Sequence, residues 1–393
     1  MNAPAQQMSP DQQNSLMRSR LCATGLWSEK DLGTFSLSMG GTTRIKLQNI
    51  GITHRLRLMF TTTMTIATAT AALSPFGMYN AIPRIRIDDY DGQPRINASA
   101  SHILMRNILR ERRIDGSTRD SLAAIAGSSF FPSSSVTIPN LGLTVGAQTG
   151  IFFLDIPICF DSDMGDLRGA MATQSTVGEI NLSIDCVQLA SLYGANDDTK
   201  VINNTATVTA ATFNVQVMQE FILPQPDIML NNMVPIPSLD IQTVYEIVTQ
   251  QTSDNLAASQ EKLISLPNTR LVNALYYRWF NNSYQGGTGT TNDLTQHRLI
   301  LNGTTPIKTR NFNYQFMLQR QDIGSDLPKG AYFFDFLGLI GSNKQAIQTS
   351  QLGNVQLGLT IPAAGTSGTS YIDYAVESFY MKGVALGSVI PGN

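Results

Sequence analysis

The sequence predicts an all-β protein made of two tandem β-units of similar design. Apolar and polar residues alternate with a period of two over 179–185, 213–218 and 354–361, as expected for strands with one buried face. The 31 glycines and 17 prolines separate such runs, and many short strands joined by Gly/Pro turns indicate a sandwich or a barrel. A weak internal repeat indicates that this architecture occurs twice.

The repeat consists of an aromatic strand followed by an alternating strand. The aromatic segment at 152–155 precedes the alternating run at 178–184, and the segment at 333–336 precedes the run at 353–359 with nearly the same separation. The apolar faces of these strands should form the two cores. The predicted core residues are Phe152, Ile180, Leu182 and Ile184 in the first unit, and Phe333, Val355, Leu357 and Leu359 in the second.

Chain length and proline placement predict the domain organisation. The 393 residues exceed the roughly 250–300 at which a single hydrophobic core stops growing. Four prolines between positions 224 and 237 mark an extended joint, because proline cannot donate to a sheet ladder. We therefore expect an N-terminal helical arm at 1–30, a first β-unit at 31–222, a linker at 223–237 and a second β-unit at 238–393.

Helical signals are few. The segment 9–12 (Ser-Pro-Asp-Gln) has the pattern of a capped helix start, and this helix should run to Thr24, before Gly25. Further helices are predicted at 101–113 and from 239 to about 249.

Composition limits the function classes. The 27 Lys+Arg and 29 Asp+Glu give a net charge of −2, which argues against a chain that wraps nucleic acid. Only 14% of residues are charged, where roughly 25% is ordinary; this suits a protein buried among its own copies or a secreted β-protein. The N-terminal segment lacks the features of a signal peptide, and no stretch supplies the about 20 apolar residues of a spanning helix. With three cysteines and no C-x-x-C spacing, we expect a soluble protein made in a reducing host cytoplasm.

No motif predicts catalysis. The sequence has no nucleophile elbow, phosphate loop, zinc-protease or dinucleotide motif, and His54, His102 and His297 lie far apart. The acidic segments at 161–166 and 88–91 are better explained by a helix N-cap and a turn than by a metal site. We therefore predict no catalytic residue, no cofactor and no metal ion.

The sharpest charged feature is an arginine stripe. Spacings of four and three residues place Arg106, Arg110 and Arg113 along one face of the second predicted helix. The stripe is either a site for an anionic partner or a solvated or ion-paired face, with Glu111, Asp115 or a neighbouring subunit as partners. We favour the second interpretation, because charge runs usually have that role.

Four segments, in order, resemble the major capsid proteins of tectiviruses, the membrane-containing icosahedral bacteriophages. Ser-Pro-Asp-Gln-Gln at 9–13 resembles the start of the family's N-terminal helix, and Asp-Leu-Arg-Gly-Ala at 166–170 resembles its D-L-x-G-A segment. Asp-Ile-Gln-Thr-Val-Tyr at 240–245 resembles its D-L-x-T-L-Y segment. The strongest match joins Leu-Pro-Lys-Gly-Ala-Tyr-Phe at 327–333 to Leu-Gly-Asn-Val at 352–355.

The resemblance implies a double jelly roll: two tandem jelly-roll β-sandwiches with a short N-terminal helix and a few inserted helices. It implies a structural, non-enzymatic major capsid protein, whose pseudo-hexagonal homotrimers tile an icosahedral shell over an internal membrane vesicle enclosing double-stranded DNA. The implied partners are the other chains of the homotrimer, neighbouring trimers, minor capsid and vertex proteins, and the internal viral membrane, without direct DNA contact. The implied location is the virion.

The N-terminal arm is expected on the membrane side of the shell. Leu16, Met17 and Leu21 cluster on one side of the predicted helix, Arg18 lies roughly opposite, and Arg20 falls inside the apolar arc. The arginine heads are expected to reach lipid phosphate while the stem of Arg20 follows apolar surface. The alternative is a helix that packs against a neighbouring trimer. Neither β-core is expected to use the arm.

Two other functions remain open from the residues alone. A carbohydrate-binding or glycan-hydrolysing β-sandwich needs a carboxylate pair about 5–10 Å apart in an aromatic cleft. No obvious acid pair accompanies Trp27 or Trp279 in the sequence. A spike or minor capsid protein would differ in copy number, because a major capsid protein is the most abundant protein of its particle.

Overall fold

The computed structural model describes residues 8–110, 144–160, 167–175, 178–252, 259–286, 293–303, 305–323, 327–328, 330–336, 346–362 and 370–381. Strands dominate these residues, as the alternating runs predicted. The predicted all-β class with a few inserted helices is confirmed.

Two facing sheets form the first unit. Its strands are β1 (Leu26–Ser36), β2 (Thr42–Lys46), β3 (Ile52–Ala67), β4 (Arg84–Asp88), β5 (Pro94–Ala98), β6 (Gly146–Pro157), β7 (Asn181–Asp185) and β8 (Thr207–Leu223). One sheet has the order β1-β8-β3-β6, and β2, β7, β4 and β5 lie side by side opposite it. All these pairs are antiparallel.

The second unit repeats this arrangement. Its strands are β9 (Thr243–Gln251), β10 (Glu261–Ser265), β11 (Leu271–Asn281), β12 (Tyr284–Gln285), β13 (Gln296–Leu301), β14 (Thr305–Asn311), β15 (Ala331–Asp335), β16 (Ile347–Gln348), β17 (Val355–Thr360) and β18 (Ser370–Met381). One sheet has the order β10-β17-β13-β14. The opposite wall has the order β12-β11-β18-β9, and β15 and β16 also pair with β11.

One strand pair joins the two units. β5 of the first unit pairs in parallel with β9 of the second, in the register Ile96 to Ile247 and Asn97 to Val248. The inner walls of the two sandwiches are therefore a single ten-stranded sheet.

Two large hydrophobic clusters fill the sandwiches, and a small third cluster lies beside the N-terminal helix. All eight core residues predicted from the repeat are buried, which confirms the strand faces assigned to them. One assignment was wrong: Phe333 lies in the cluster of the first unit. Its neighbour Phe334 lies in the core of the second unit, because successive residues of a strand point to opposite faces of a sheet.

The helices are α1 (Pro10–Thr24), α2 (Ala100–Arg110), α3 (Ser238–Gln242), α4 (Phe312–Ile323) and α5 (Thr349–Leu352). The predicted bounds of α1 are confirmed. Ser9 accepts a hydrogen bond from the Gln12 backbone, the Gln12 side chain accepts one from the Ser9 backbone, and Pro10 occupies the first position. The predicted helix at 101–113 is α2; positions 111–113 lie outside the described residues.

The helix predicted from 239 to about 249 was wrong. α3 ends at Gln242, and the chain continues as strand β9. The first five residues of β9 are buried one after another, because the strand lies inside the ten-stranded sheet and is covered on both faces. A strand buried on both faces has no apolar–polar alternation, so its period could not be recognised. The acidic segment at 88–91 does form the predicted turn, closed by a hydrogen bond from Gly92 N to Asp89 O.

Candidate assembly surface

Helix α2 lies between the two units and is buried on all sides. Residues 100–109 are buried, and the apolar ones among them belong to the first hydrophobic cluster. The same cluster contains Tyr276, Phe333 and Phe379 from the second unit. α2 therefore packs against both sandwiches.

The arginines of α2 make ion pairs inside the chain. Arg106 is 1% exposed and donates to the hydroxyl of Tyr245 at 3.0 Å and to the carbonyl of Phe160 at 2.6 Å. Arg110 pairs with Asp335 at 3.0 Å and with Glu377 at 2.7 Å. Both arginines are thus ion-paired, as the favoured interpretation expected, but the partners seen, Glu377 and Asp335, belong to the second unit of the same chain and were not among those named. Arg113, Glu111 and Asp115 lie outside the described residues.

Glu377 is the centre of this buried network. Its carboxylate is fully buried and accepts hydrogen bonds from Tyr245 at 2.5 Å, from Tyr276 at 2.9 Å and from Arg110. Burial opposes ionisation of Glu377, but the charges of Arg110 and Arg106 and the hydrogen bonds outweigh it, so that the pKa of Glu377 is lowered. The two units are therefore joined by a charged contact as well as by the continuous sheet.

Helix α1 packs more tightly on the β-units than expected. Leu21 is fully buried in the third cluster, where it meets Ile52 and Ile222 of the first unit; Leu16 and Met17 are partly buried. As expected, the two β-cores contain no residue of α1. Leu21 nevertheless ties the arm to the first unit through the small third cluster.

The two arginines of α1 are held by carboxylates of the linker and α3. Arg18 pairs with Asp240 at 3.3 Å, and Arg20 makes a two-pronged contact with Asp227, one of whose hydrogen bonds measures 2.6 Å. Asn14 donates to Asp240 at 2.8 Å and accepts from the Leu239 backbone at 2.9 Å. α1, the linker and α3 thus form one connected surface, which we call the base.

The linker exposes large apolar side chains at the base. Ile228 is 84% and Met229 is 78% exposed, and Met233 and Val234 follow at 57% and 45%. Asp227, which begins this segment, is buried and bound to Arg20. Clustered exposed apolar residues are typical of a surface that contacts a partner or a membrane.

The histidines are internal. His54, His102 and His297 are all buried; His102 bonds Ser99 at 2.8 Å and His297 bonds Tyr277 at 2.7 Å. Across the described ranges, no group of three or more His, Cys, Asp or Glu side chains is arranged to hold a metal ion. No helix in the same ranges is long and apolar enough to cross a membrane.

The buried histidines predict a stability that falls in mild acid. Burial lowers the pKa of His54 and His297 to about 3 and that of His102 to about 4, from 6.5. Below pH 6.5 the unfolded chain binds protons that the folded chain does not, so the free energy of unfolding should decrease as the pH falls toward 4. In denaturation at several pH values, His297→Gln should make this slope shallower by up to about 1.4 kcal/mol per pH unit. If His297→Gln left the slope of the free energy of unfolding against pH unchanged between pH 6 and 4.5, His297 would not be a buried, uncharged histidine.

Two segments of the resemblance meet in space. The Gly169 amide donates to the Asp240 carbonyl at 3.0 Å, and a Cβ built on Gly169 would lie 2.5 Å from the Cβ of Tyr245. Gly169 has a φ of +97°, a conformation that favours glycine. Residues 167–170 and 240–245 are therefore one of the places where the first unit contacts the start of the second.

Sequence reasoning predicted the bounds of helix α1 but missed its partners. Asp227 and Asp240 were not singled out, because only folding brings these carboxylates to α1. The exposed apolar residues Ile228 and Met229 had a signal that was available: they start an uncharged run, 228–239, that does not alternate.

Comparison with protein families and solved structures identifies the fold. The family model for the P3 major capsid protein N-terminal region matches residues 28–224. The chain is similar to the crystal structure of the STIV MCP (Sulfolobus Turreted Icosahedral Virus), with a TM-score of 0.62 and 10% identity over 93% of this chain and 100% of that chain. It is similar to the PBCV-1 virus capsid, with a TM-score of 0.57 and 13% identity over 90% of this chain and 94% of that chain. It is also similar to the major capsid protein P2 from Bacteriophage PM2, with a TM-score of 0.50 and 11% identity over 91% of this chain and 98% of that chain. The sequence comparison with curated proteins finds no match.

The family match spans half of the chain, and the structural matches extend the likeness of fold to at least 90% of it. The two sandwiches are accordingly the two jelly rolls of a double jelly roll, which confirms the expected fold class. The chain belongs to the P3 major capsid protein family, as a structural protein of the virion capsid.

Proposed function

We propose that three copies of the chain form a pseudo-hexagonal homotrimer, and that trimers tile an icosahedral shell over an internal membrane vesicle enclosing double-stranded DNA. The observation that carries this proposal is the pair of jelly rolls fused through β5 and β9. Two similar units in each chain allow an object with threefold symmetry to present six similar blocks to its neighbours. The low charge content of 14% fits a subunit that is buried on several sides.

The remaining parts of the proposal follow from this role. The protein acts without catalysis, is made in the host cytoplasm, and contacts minor capsid and vertex proteins but not DNA. The chain divides into an arm, a first jelly roll, a linker at 223–237 and a second jelly roll at 238–393. The first jelly roll begins at Leu26, where β1 starts, and not at the expected position 31.

The trimer is tested by the native mass of the purified protein. Sedimentation equilibrium should give a single species of about three times the 42.8 kDa chain mass. A stable monomer at micromolar concentration would overturn the trimer. Densitometry of purified particles should show this chain as the most abundant protein; a minor band would indicate a spike or vertex protein instead.

We also propose that the base faces the membrane and that its exposed apolar linker residues make the contact. Arg18 and Arg20 are bound by Asp240 and Asp227, so their charges are largely compensated at this surface. Ile228 and Met229 are the most exposed large apolar residues of the described chain. Removing such side chains from water contributes up to about 1.5–3 kcal/mol each. Weak contacts of this kind add up when many copies act on one vesicle.

This contact predicts the behaviour of linker variants on vesicles. Ile228→Ser combined with Met229→Ser should lower the co-flotation of the protein with phosphatidylethanolamine/phosphatidylglycerol vesicles about tenfold or more, because it removes most of the apolar surface. Raising the salt concentration to about 0.5 M should change the binding of the unmodified protein little, because the contact does not depend on exposed charge.

The matched control is Val145→Ser combined with Met317→Ser, which removes two apolar side chains that are 59% and 53% exposed outside the base. This variant should float like the unmodified protein. An equal loss of co-flotation in both double variants would contradict a membrane contact made by these apolar side chains. So would release of the unmodified protein from the vesicles by salt.

A further inference from the structure

The two jelly rolls correspond strand by strand. The sheet β1-β8-β3-β6 of the first unit has the same order as β9-β18-β11-β15 of the second, and β2-β7-β4-β5 has the same order as β10-β17-β13-β14. Two kinds of contact recur at the same place in both units and fix the alignment. They are the hydrogen bonds Leu47 N to Ile180 O and Leu266 N to Val355 O, each 2.9 Å long, and the stacked ring pairs Phe60–Phe152 and Tyr277–Tyr332.

The joint between the two units has an equivalent with two open edges. Within the chain, β5 pairs in parallel with β9, and Ile96 lies beside Ile247. The corresponding strands are β14 and β1. Each is the last strand of its four-stranded sheet, and among the described residues neither has a neighbouring strand on its outer side.

The alignment places opposite charges on these two edges. Ile96 corresponds to Lys308, and Ile247 corresponds to Asp31. The matching ladders are Ile96–Ile87–Leu182 with Lys308–Leu299–Leu357, and Ile247–Glu377–Ala274–Asp335 with Asp31–Met218–Arg57–Asp155. Both Lys308 and Asp31 are exposed. Asp31 accepts hydrogen bonds from Gly33 and Gln216, but no ion pair to Asp31 or Lys308 is formed within the described chain.

The two open edges lie on opposite sides of the subunit. Leu275 and Tyr277 of β11 belong to the second hydrophobic cluster, whereas Tyr276 between them belongs to the first. The ten-stranded sheet therefore has one core on each face, and the sheets that end in β1 and β14 cover opposite faces. Different edges of identical chains that fit each other give a closed ring when the rotation between the chains closes.

The helices that follow β5 and β14 support the same contact. The third residue of α2, His102, bonds the carbonyl of Asp373 in the second unit at 3.3 Å. The third residue of α4 is Tyr314, which is 47% exposed. On the outer face of the first unit, Phe153 corresponds to the buried Phe333 and is 41% exposed. α4 and the sheet of β1 thus expose the surfaces that α2 and the second unit bury against each other.

We propose that β14 of one chain pairs in parallel with β1 of a second copy, so that Lys308 lies beside Asp31 of the next chain. α4 then lies on the outer face of the sheet β1-β8-β3-β6 of that chain. The contact between chains thereby repeats the joint inside each chain, and opposite charges set its register. This inference rests on the proposed homotrimer, to which it assigns the interface.

A disulfide experiment in the full chain tests the contact. Asp31→Cys and Lys308→Cys are combined in a Cys22→Ser background, in which the other two cysteines are buried. Paired strands bring Cα atoms to about 5 Å, within the reach of a disulfide. Mild oxidation should therefore link each chain to the next and give covalent trimers on a non-reducing gel. The control combines Lys308→Cys with Thr149→Cys, an exposed position on β6 at the other end of the same sheet, and should give no covalent trimer.

Charge reversal gives a second measurement, by sedimentation velocity over a series of dilutions. Asp31→Lys or Lys308→Glu alone should raise the concentration at which half of the trimer dissociates at least about tenfold, because like charges then face each other. The two reversals combined should restore most of the affinity. Lys46→Glu is the matched control, because Lys46 pairs with Glu179 on an exposed part of β2 outside both edges, and it should leave the trimer unchanged.

The outcomes separate this interface from the trimer itself. If the unmodified protein is a trimer but the paired cysteines give no covalent trimer and charge reversal changes nothing, the trimer stands and this interface is overturned. Covalent trimers formed through Thr149→Cys would overturn it as well. A monomeric unmodified protein would overturn the homotrimer and the interface together.

Discussion

Glu377→Leu is expected to lower the free energy of unfolding by roughly 3–5 kcal/mol, because it leaves two buried arginines without their shared carboxylate. Glu377 is fully buried, and Arg106 and Arg110 lie within 3.7 Å and 2.7 Å of it. The substitution also removes the acceptor for the hydroxyls of Tyr245 and Tyr276. Urea denaturation of the purified protein at pH 7 measures the loss.

The matched control for this variant is Glu261→Gln. Glu261 pairs with Arg298 at 3.0 Å, but both side chains are about a quarter exposed, so the loss should stay within about 1 kcal/mol. Because the pKa of Glu377 is lowered, its contribution is present above the unfolded pKa near 4.5 and decreases as the pH falls below it. A loss below about 1 kcal/mol for Glu377→Leu would show that the network does not hold the two jelly rolls together.

Gly169→Ala should destabilise the protein by roughly 2–5 kcal/mol. The residue has a φ of +97°, and a Cβ would lie 2.5 Å from the Cβ of Tyr245 and 2.9 Å from the carbonyl oxygen of Ile158. Neither neighbour is the free end of a flexible side chain. The backbone must therefore shift where the first jelly roll contacts the start of β9, and the thermal midpoint should drop accordingly.

Gly33→Ala separates backbone strain from this clash. Gly33 has a similar φ of +103°, but a Cβ there would meet nothing within 4 Å. Gly33→Ala should therefore lower the free energy of unfolding only by the cost of a positive φ for alanine, about 1–2 kcal/mol. Equal losses for the two variants would mean that close packing at Gly169 contributes nothing.

The fold could be predicted wherever one face of an element is buried and the other is not. The run at 354–361 alternates because β17 covers the second core with one face only, and all its predicted core residues are buried. The capped start of α1 is a local signal that needs no tertiary information. The prediction failed at β9 for the opposite reason, because a strand covered on both faces shows no alternation of apolar and polar residues.

The assembly surface was predictable only in part. The arm at 16–21 could be identified from its own sequence, but its carboxylate partners are more than 200 positions away along the chain. The arginines of α2 showed the same limit: their spacing predicted a stripe on one helix face, yet nothing local indicated Glu377 or Asp335. Long-range charge pairing is a property of the folded topology, and a single sequence does not reveal it.

The parallel pairing of β5 with β9 has a mechanical consequence. Hydrogen bonds along a sheet are stiff in the plane of the sheet, so a ladder that runs through both jelly rolls resists their being sheared or hinged against each other. The two jelly rolls of a subunit are therefore expected to move together as one rigid body. Under internal pressure or on drying, a shell of such subunits should break first at the contacts between subunits, while each subunit keeps its shape.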